Sequence, residues 1–285
     1  MEIQQFDTAK AFLKKTEEFL LKKEAINNLP LGILYRLASE KENNPDHPSP
    51  FFATAGSKNH PVLAMVMTPP KNLVISCAED GLKSSGAIQT AVSFLKESGI
   101  QIPGVIGERE LAEQFARKWT EPHGGNFTVH MEQRIYRLDK VSPVSEKPGH
   151  LRMATMSDLP LVSDWIYAFS VDANEPMSCK EAHELAQKKI QQGSIFLWED
   201  QMVVSMAGKS RPTKNGATVS LVYTPPEYRQ KGYASSCVAA LSQRILDEGY
   251  QFCSLYTDMA NPTSNSIYMK MGYQPVTDSI VYRFS

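Results

Sequence analysis

Ala217-Thr-Val-Ser-Leu-Val-Tyr-Thr-Pro-Pro-Glu-Tyr-Arg-Gln-Lys-Gly-Tyr-Ala234 is the stretch on which the fold turns. Lys214-Asn215-Gly216 is a strong turn signal, and Ala217–Tyr223 after it reads as a strand. Thr224–Ala234 is a polar loop with two prolines and one glycine. A helix follows, with Ala234, Val238, Leu241 and Ile245 in its apolar stripe and Gly249 at its end. A strand-to-helix junction of this kind gathers unpaired backbone N–H groups at the positive end of a helix dipole. Gly232 permits the backbone turn that aims successive N–H groups into one concavity, and Ala234 allows close approach. Arg229 and Lys231 can add positive charge opposite a diphosphate.

Working outward, Phe252–Thr257 reads as the next strand, and Asn261-Pro262 opens a short helix that ends at Gly272. On that helix Asn261, Ser264 and Tyr268 fall at i, i+3 and i+7 and share one face, while Ile267 and Met271 sit on the neighbouring buried one. Ser279–Phe284 closes as a strand. Upstream, Leu151–Ala154 is a short strand, Asp158 caps a helix carrying Val162, Trp165, Ile166 and Phe169, and Ser178-Cys-Lys-Glu181 is a capping box. Ser194–Glu199 and Met202–Lys209 are strands joined by Asp200-Gln201. The order predicts a mixed α/β (α+β) sheet fold.

Taken together, Leu221-Val-Tyr-Thr-Pro225 with Arg229-x-x-Gly232-x-Ala234 and Asn261…Tyr268…Gly272-Tyr273 resemble the GNAT (GCN5-related N-acetyltransferase) superfamily. The resemblance covers about Leu151–Ser285. The whole chain is also similar to bacterial tandem proteins in which a degenerate GNAT-like domain precedes an active one. It implies acetyl-CoA as cosubstrate and an amine acceptor. Backbone groups of Val222, Tyr223 and Thr224 would pair with pantetheine like an added strand, beside a splay between neighbouring strands. Arg229 and the amides of Gln230, Lys231, Gly232, Tyr233, Ala234 and Ser235 would hold the pyrophosphate. Asn261 and Ser264 would be further cofactor contacts, and Tyr268 would protonate the departing CoA thiolate. One departure matters: many members carry a glutamate on or near the central strand as a base, yet Ala217–Tyr223 holds no carboxylate. Glu175, Asp172 and Asp258 are the remaining candidates. A catalytically silent acyl-CoA-binding or interaction protein is the alternative.

A chain of 285 residues favours two domains. Asp139–His150, with two prolines, a glycine and no apolar periodicity, is the seam; it divides residues 1–140, a linker 141–150 and a domain 151–285. In the first half, helical stretches at Ile3–Ile26 and Leu31–Lys41 lead into strands at Phe51–Ala55, Val62–Met67 and Leu73–Cys77. Helix, strand, helix and strand follow at Ser85–Glu97, Gly104–Gly107, Glu110–Trp119 and Asn126–Leu138. That order echoes the second half without a residue-level repeat. The first half has no R-x-x-G-x-A/G loop; its counterpart, Cys77–Ser84, places Glu79 and Asp80 where phosphate would go, so this half reads as scaffold or substrate wall. A formal charge of −1 gives no reason to propose nucleic acid or an anionic membrane as partner. Neither a bilayer-length apolar run nor an H-E-x-x-H metal motif occurs. Four scattered cysteines read as free thiols in a reducing cytosol, and the expected location is cytoplasmic.

Overall fold

The computed structural model describes residues 1–40, 48–57, 60–77, 84–121, 125–145 and 147–285, except for the side chains of 262–264. In chain order the first half holds β1 (Glu2–Phe6), α1 (Ala9–Leu21), α2 (Asn28–Ser39), β2 (Phe51–Ser57), β3 (His60–Met67) and β4 (Leu73–Cys77). It continues with α3 (Ser85–Glu97), β5 (Gly104–Glu108), α4 (Arg109–Thr120) and β6 (Phe127–Leu138). The second half holds β7 (His150–Met153), α5 (Leu159–Asp172), α6 (Cys179–Gln191), β8 (Ile195–Asp200), β9 (Met202–Ser210) and β10 (Gly216–Tyr223). After these come α7 (Tyr233–Asp247), β11 (Phe252–Asp258), α8 (Pro262–Lys270) and β12 (Gln274–Phe284). The chain is thus a mixed α/β structure, and it divides into two compact units.

One unit comprises Met1–Ile135 with Thr257–Ala260 and Pro275–Ser285. Its strands run β1-β2-β3-β4-β5-β12 in space. The C-terminal strand β12 lies antiparallel to β5, with Val281 opposite Ile106. Both faces of this sheet are covered: α3 and α4 bury Leu63, Met65 and Ile75, while α1 and α2 bury Phe52, Val66 and Val74. The helix expected over Ile3–Ile26 is corrected here. Glu2–Phe6 pairs antiparallel with β2, and α1 begins only after Thr8, whose side chain accepts from the Ala11 N–H at 3.2 Å. That N-cap satisfies an amide the helix leaves unpaired, so the chain upstream is free to extend. The loop carrying Glu79 and Asp80 lies outside the described residues.

The other unit comprises Tyr136–Tyr256 and Asn261–Gln274, with strands in the order β11-β10-β9-β8-β7. All its pairings are antiparallel except β10 with β11. One face packs α7, whose Val238, Leu241 and Ile245 meet Phe196, Val219 and Leu255. The opposite face packs α5 and α6, whose Val162, Trp165, Ile166 and Ala186 meet Leu197, Met206 and Tyr223. The capping box that opens α6 is present: Glu181 donates its N–H to Ser178 Oγ, and its carboxylate accepts the Ser178 N–H. Residues 139–150 pack onto this unit. Ser142 N–H donates to the Met271 carbonyl at 2.9 Å, and Trp198 Nε1 donates to the Pro148 carbonyl at 3.0 Å.

At the entrance to α5, the Arg152 guanidinium donates to both oxygens of Asp158, each at 2.8 Å, and also to Glu199. The Thr155 N–H adds a third donor to Asp158. Arg152 first, with the Thr155 bonds behind it, lowers the Asp158 carboxyl from 3.8 to about 2. A carboxylate depressed on folding stabilises fully above its unfolded value and loses that contribution as pH falls through about 2. Asp158→Asn should therefore cost on the order of 2 kcal/mol at neutral pH. Urea titrations of the two proteins at falling pH should converge towards pH 2; a gap independent of pH would remove the ion pair as its cause.

Candidate active site

Strand β10 is where the second unit departs from a regular sheet. It pairs with β11 only through Gly216–Thr218, opposite Phe252–Ser254. On its other side the register with β9 shifts between Ser220 and Tyr223, and Leu221 is forced to φ +51°. A bulge of this sort bends the strand and increases its twist. From Val219 onward the β11 side of β10 has no strand partner among the described residues, which leaves backbone groups of Val222 and Tyr223 available to another extended chain. The splay expected beside them is present. The strand end is fixed by a residue the sequence argument passed over: Ser205 on β9, fully buried, donates to the Tyr223 carbonyl at 3.3 Å and lies 2.9 Å from Thr224 Oγ1. A serine inside the apolar run of Met202–Lys209 was the available signal.

After a single helical turn at Pro226–Tyr228 the loop changes hand twice, with Gln230 at φ +63° and Gly232 at φ +87°. Gly232 is the N-cap of α7 and has no side chain to satisfy the first-turn amides. Ala234 and Ser235 are half-exposed there. One turn in, the Ser236 hydroxyl is buried without a partner. Arg229 turns away from this concavity: its Nε donates to the Thr224 carbonyl at 2.9 Å, and its Nη2 pairs with Asp172 at 2.6 Å. Lys231 rests over the Tyr228 ring, 5.6 Å from its centroid. Tyr233 donates its hydroxyl to Asp200 at 2.7 Å. Lys147, from residues 139–150, runs alongside: its Cε stands 2.7 Å from where a Cβ on Gly232 would sit. It brings a cation that no loop motif announces.

The polar face of α8 is partly visible. Asn261 accepts at its carbonyl from the Asn265 side chain at 2.9 Å, and Asn265 in turn accepts from the Tyr136 hydroxyl at 3.1 Å. The side chain of Ser264 lies outside the described residues. Tyr268 stands edge-on to Tyr273, ring centroids 5.9 Å apart. Burial, with the nearby Cys237 thiol second, pushes its phenol up to about 12. Cys237, on the buried face of α7, is itself pushed up to about 12 by burial and stays a thiol. Of the carboxylates considered as bases, Asp172 is bound to Arg229, Glu175 is exposed, and Asp258 accepts the Ala260 N–H at 2.8 Å. The strand β10 offers hydroxyls in place of a carboxylate.

The FR47-like protein family matches residues 200–281, the segment that contains the splay, the loop and α8. Among curated proteins none matches the chain in sequence. Solved structures resemble it over nearly its full length. A GNAT-family acetyltransferase from Colwellia psychrerythraea is 11% identical with a TM-score of 0.59, covering 100% of this chain and 99% of that one. A GCN5-related N-acetyltransferase from Sphaerobacter thermophilus is 12% identical with a TM-score of 0.62, covering 99% and 94%. A tandem GNAT protein from the clavulanic acid biosynthesis pathway is 10% identical with a TM-score of 0.59, covering 100% and 98%. At such identities the likeness is one of fold. The chain shares the fold of these GNAT-family structures, and the part that matches the FR47-like family is the part that builds the splayed strand and the left-handed loop.

Proposed function

We propose that the chain transfers an acetyl group from acetyl-CoA to a primary amine, by direct attack in a ternary complex. The observation that carries this reading is the pair of left-handed residues, Gln230 and Gly232, directly before α7. They turn consecutive N–H groups toward one point at the positive end of a helix, which suits a diphosphate. The open edge of Val222 and Tyr223 suits an amide-bearing pantetheine arm. Lys147 and Lys231 supply charge at the loop, whereas Arg229 supports the strand end through Thr224. An amine with pKa near 10.4 is neutral only about once in 2,500 molecules at pH 7, so the acceptor must lose a proton before attack. Tyr268, protonated across the neutral range, is suited to return a proton to the leaving thiolate. Free thiol should appear when acetyl-CoA and a panel of amines are mixed with the protein. Calorimetric binding of acetyl-CoA with no thiol release for any amine would favour the silent acyl-CoA binder instead.

A further inference from the structure

Along Thr218–Ser220 and Ser254–Tyr256, the face of β10 and β11 turned away from α7 carries hydroxyls. Ser210 stands opposite Thr218, and Thr218 opposite Ser254, so strand alternation sets Ser220 and Tyr256 on the same side. Their hydroxyls are linked: Ser220 donates to Ser210 at 2.8 Å, and Thr218 meets Ser254 at 2.9 Å. Over this face lies the Arg211 guanidinium, 5.0 Å from the Tyr256 ring centroid. Arg211 itself is held at φ +44°, a left-handed conformation that a non-glycine residue adopts at a cost. Its Nε is buried with no hydrogen-bond partner, and it forms no ion pair among the described residues. Lys189, half-buried near the end of α6, likewise has no ion pair among them. Burial, and for Lys189 also the charge of Arg211, lowers the proton affinity of both groups.

A guanidinium nitrogen buried without an acceptor is costly even in a half-exposed arginine, and such a group is retained where something else brings the counter-charge. Stacking on Tyr256 covers one face of the guanidinium and leaves its donor edges in plane, the arrangement that receives both oxygens of a carboxylate. We propose that Arg211, assisted by Lys189, binds a carboxylate on the acceptor, so that the substrate is an amine that also carries a carboxylate, as in an amino acid. This rests on the acetyl-transfer reading, because it assigns the second functional group of the acceptor in that reaction. A neutral or polycationic amine would leave the guanidinium unpaired.

The test is thiol release with the standard amino acids, their carboxamides and phosphoethanolamine, in the wild type, Arg211→Met and Lys189→Met. Expected is a lower KM for amino acids than for their carboxamides. Arg211→Met should raise KM for the acid by about 10- to 100-fold, the worth of a charged hydrogen bond, and leave the carboxamide unchanged. Lys189→Met should do the same to a smaller degree. Melting of Arg211→Met without ligand should be unchanged or raised, since a purely structural arginine would lower it. Preference for carboxamides or for phosphoethanolamine, or KM values for the acid unmoved in both variants, would overturn the proposal. If no amine is turned over, titration of N-acetyl amino acids against their amides decides it: carboxylate binding that does not depend on Arg211 or Lys189, or no binding at all, rejects it. Acetyl-CoA titration, run alongside, reports on the transfer reading separately.

Discussion

Gly232→Val should abolish acetyl-CoA binding, weakening it by at least about 100-fold, equal to about 2.8 kcal/mol. Gly232 sits at φ +87° and ψ 0° as the N-cap of α7. For an L-residue this region costs about 1–2 kcal/mol, and a β-branched side chain is accommodated worst of all. Valine relieves the strain by rotating the backbone out of the left-handed region, and that rotation swings the following amides away from the concavity. The new side chain also displaces Lys147, whose Cε would stand 2.7 Å from its Cβ. The unit's core does not depend on the loop: α7 buries Val238, Leu241 and Ile245 one turn and more downstream. Stability should therefore fall by only about 1–3 kcal/mol, with the far-ultraviolet spectrum unchanged. Isothermal titration is the measurement. A normal titration in a variant that holds valine at φ +87° would mean that the amides after residue 232 do not carry the cofactor.

That loop was legible because a glycine follows two prolines and two basic residues and directly precedes an apolar helical stripe. The second unit was legible for the same reason: Ser178-x-x-Glu181, Asn215-Gly216 and Pro262 each fix an element boundary by local chemistry, and the structure places α6, β10 and α8 accordingly. What the sequence did not carry are features decided by distant partners. The bulge at Leu221 lies in an apolar run with no glycine to announce it, because the strain is imposed by pairing with β9. Glu2–Phe6 becomes a strand only because β2 offers an edge, and its own five residues do not distinguish strand from a first helical turn. That β12 closes against Gly104–Glu108 is likewise a matter of register between segments about 170 residues apart, which a period-two pattern does not encode.

The site divides along the same line. The left-handed loop at Gly232 follows from local turn chemistry, while the part assigned to Val222–Thr224 comes from the family resemblance. Side chains that act from elsewhere follow from neither: Ser205 fixes the strand end from β9, Lys147 reaches the loop from residues read as a linker, and Arg211 follows a strand without any motif. Arg229 shows the converse. Its position in the loop suggested phosphate, yet a carboxylate at the end of α5 and the Thr224 carbonyl both take its donors.

Tyr268→Phe should lower kcat by about 100-fold or more, the usual contribution of a positioned general acid, with acetyl-CoA affinity nearly intact. The substitution removes one oxygen and leaves the ring against Tyr273, so packing around α8 changes little. Its phenol is pushed up to about 12, chiefly by burial, so the donor stays loaded through the whole neutral and mildly alkaline range. The sign is clear. A raised pKa on an acid extends its protonated form upward in pH, and activity should show no alkaline loss from this group until about pH 12. The acid side should fall instead, because the small neutral fraction of the acceptor amine drops about tenfold with each pH unit. In Tyr268→Phe the shape of the pH profile should persist at reduced height, because the group removed does not titrate within it. An alkaline limb near pH 9 that disappears in the variant would show a phenol of ordinary acidity acting as the acid, without the upward shift that burial predicts. An unchanged kcat would remove Tyr268 from the chemistry and leave solvent to protonate the thiolate.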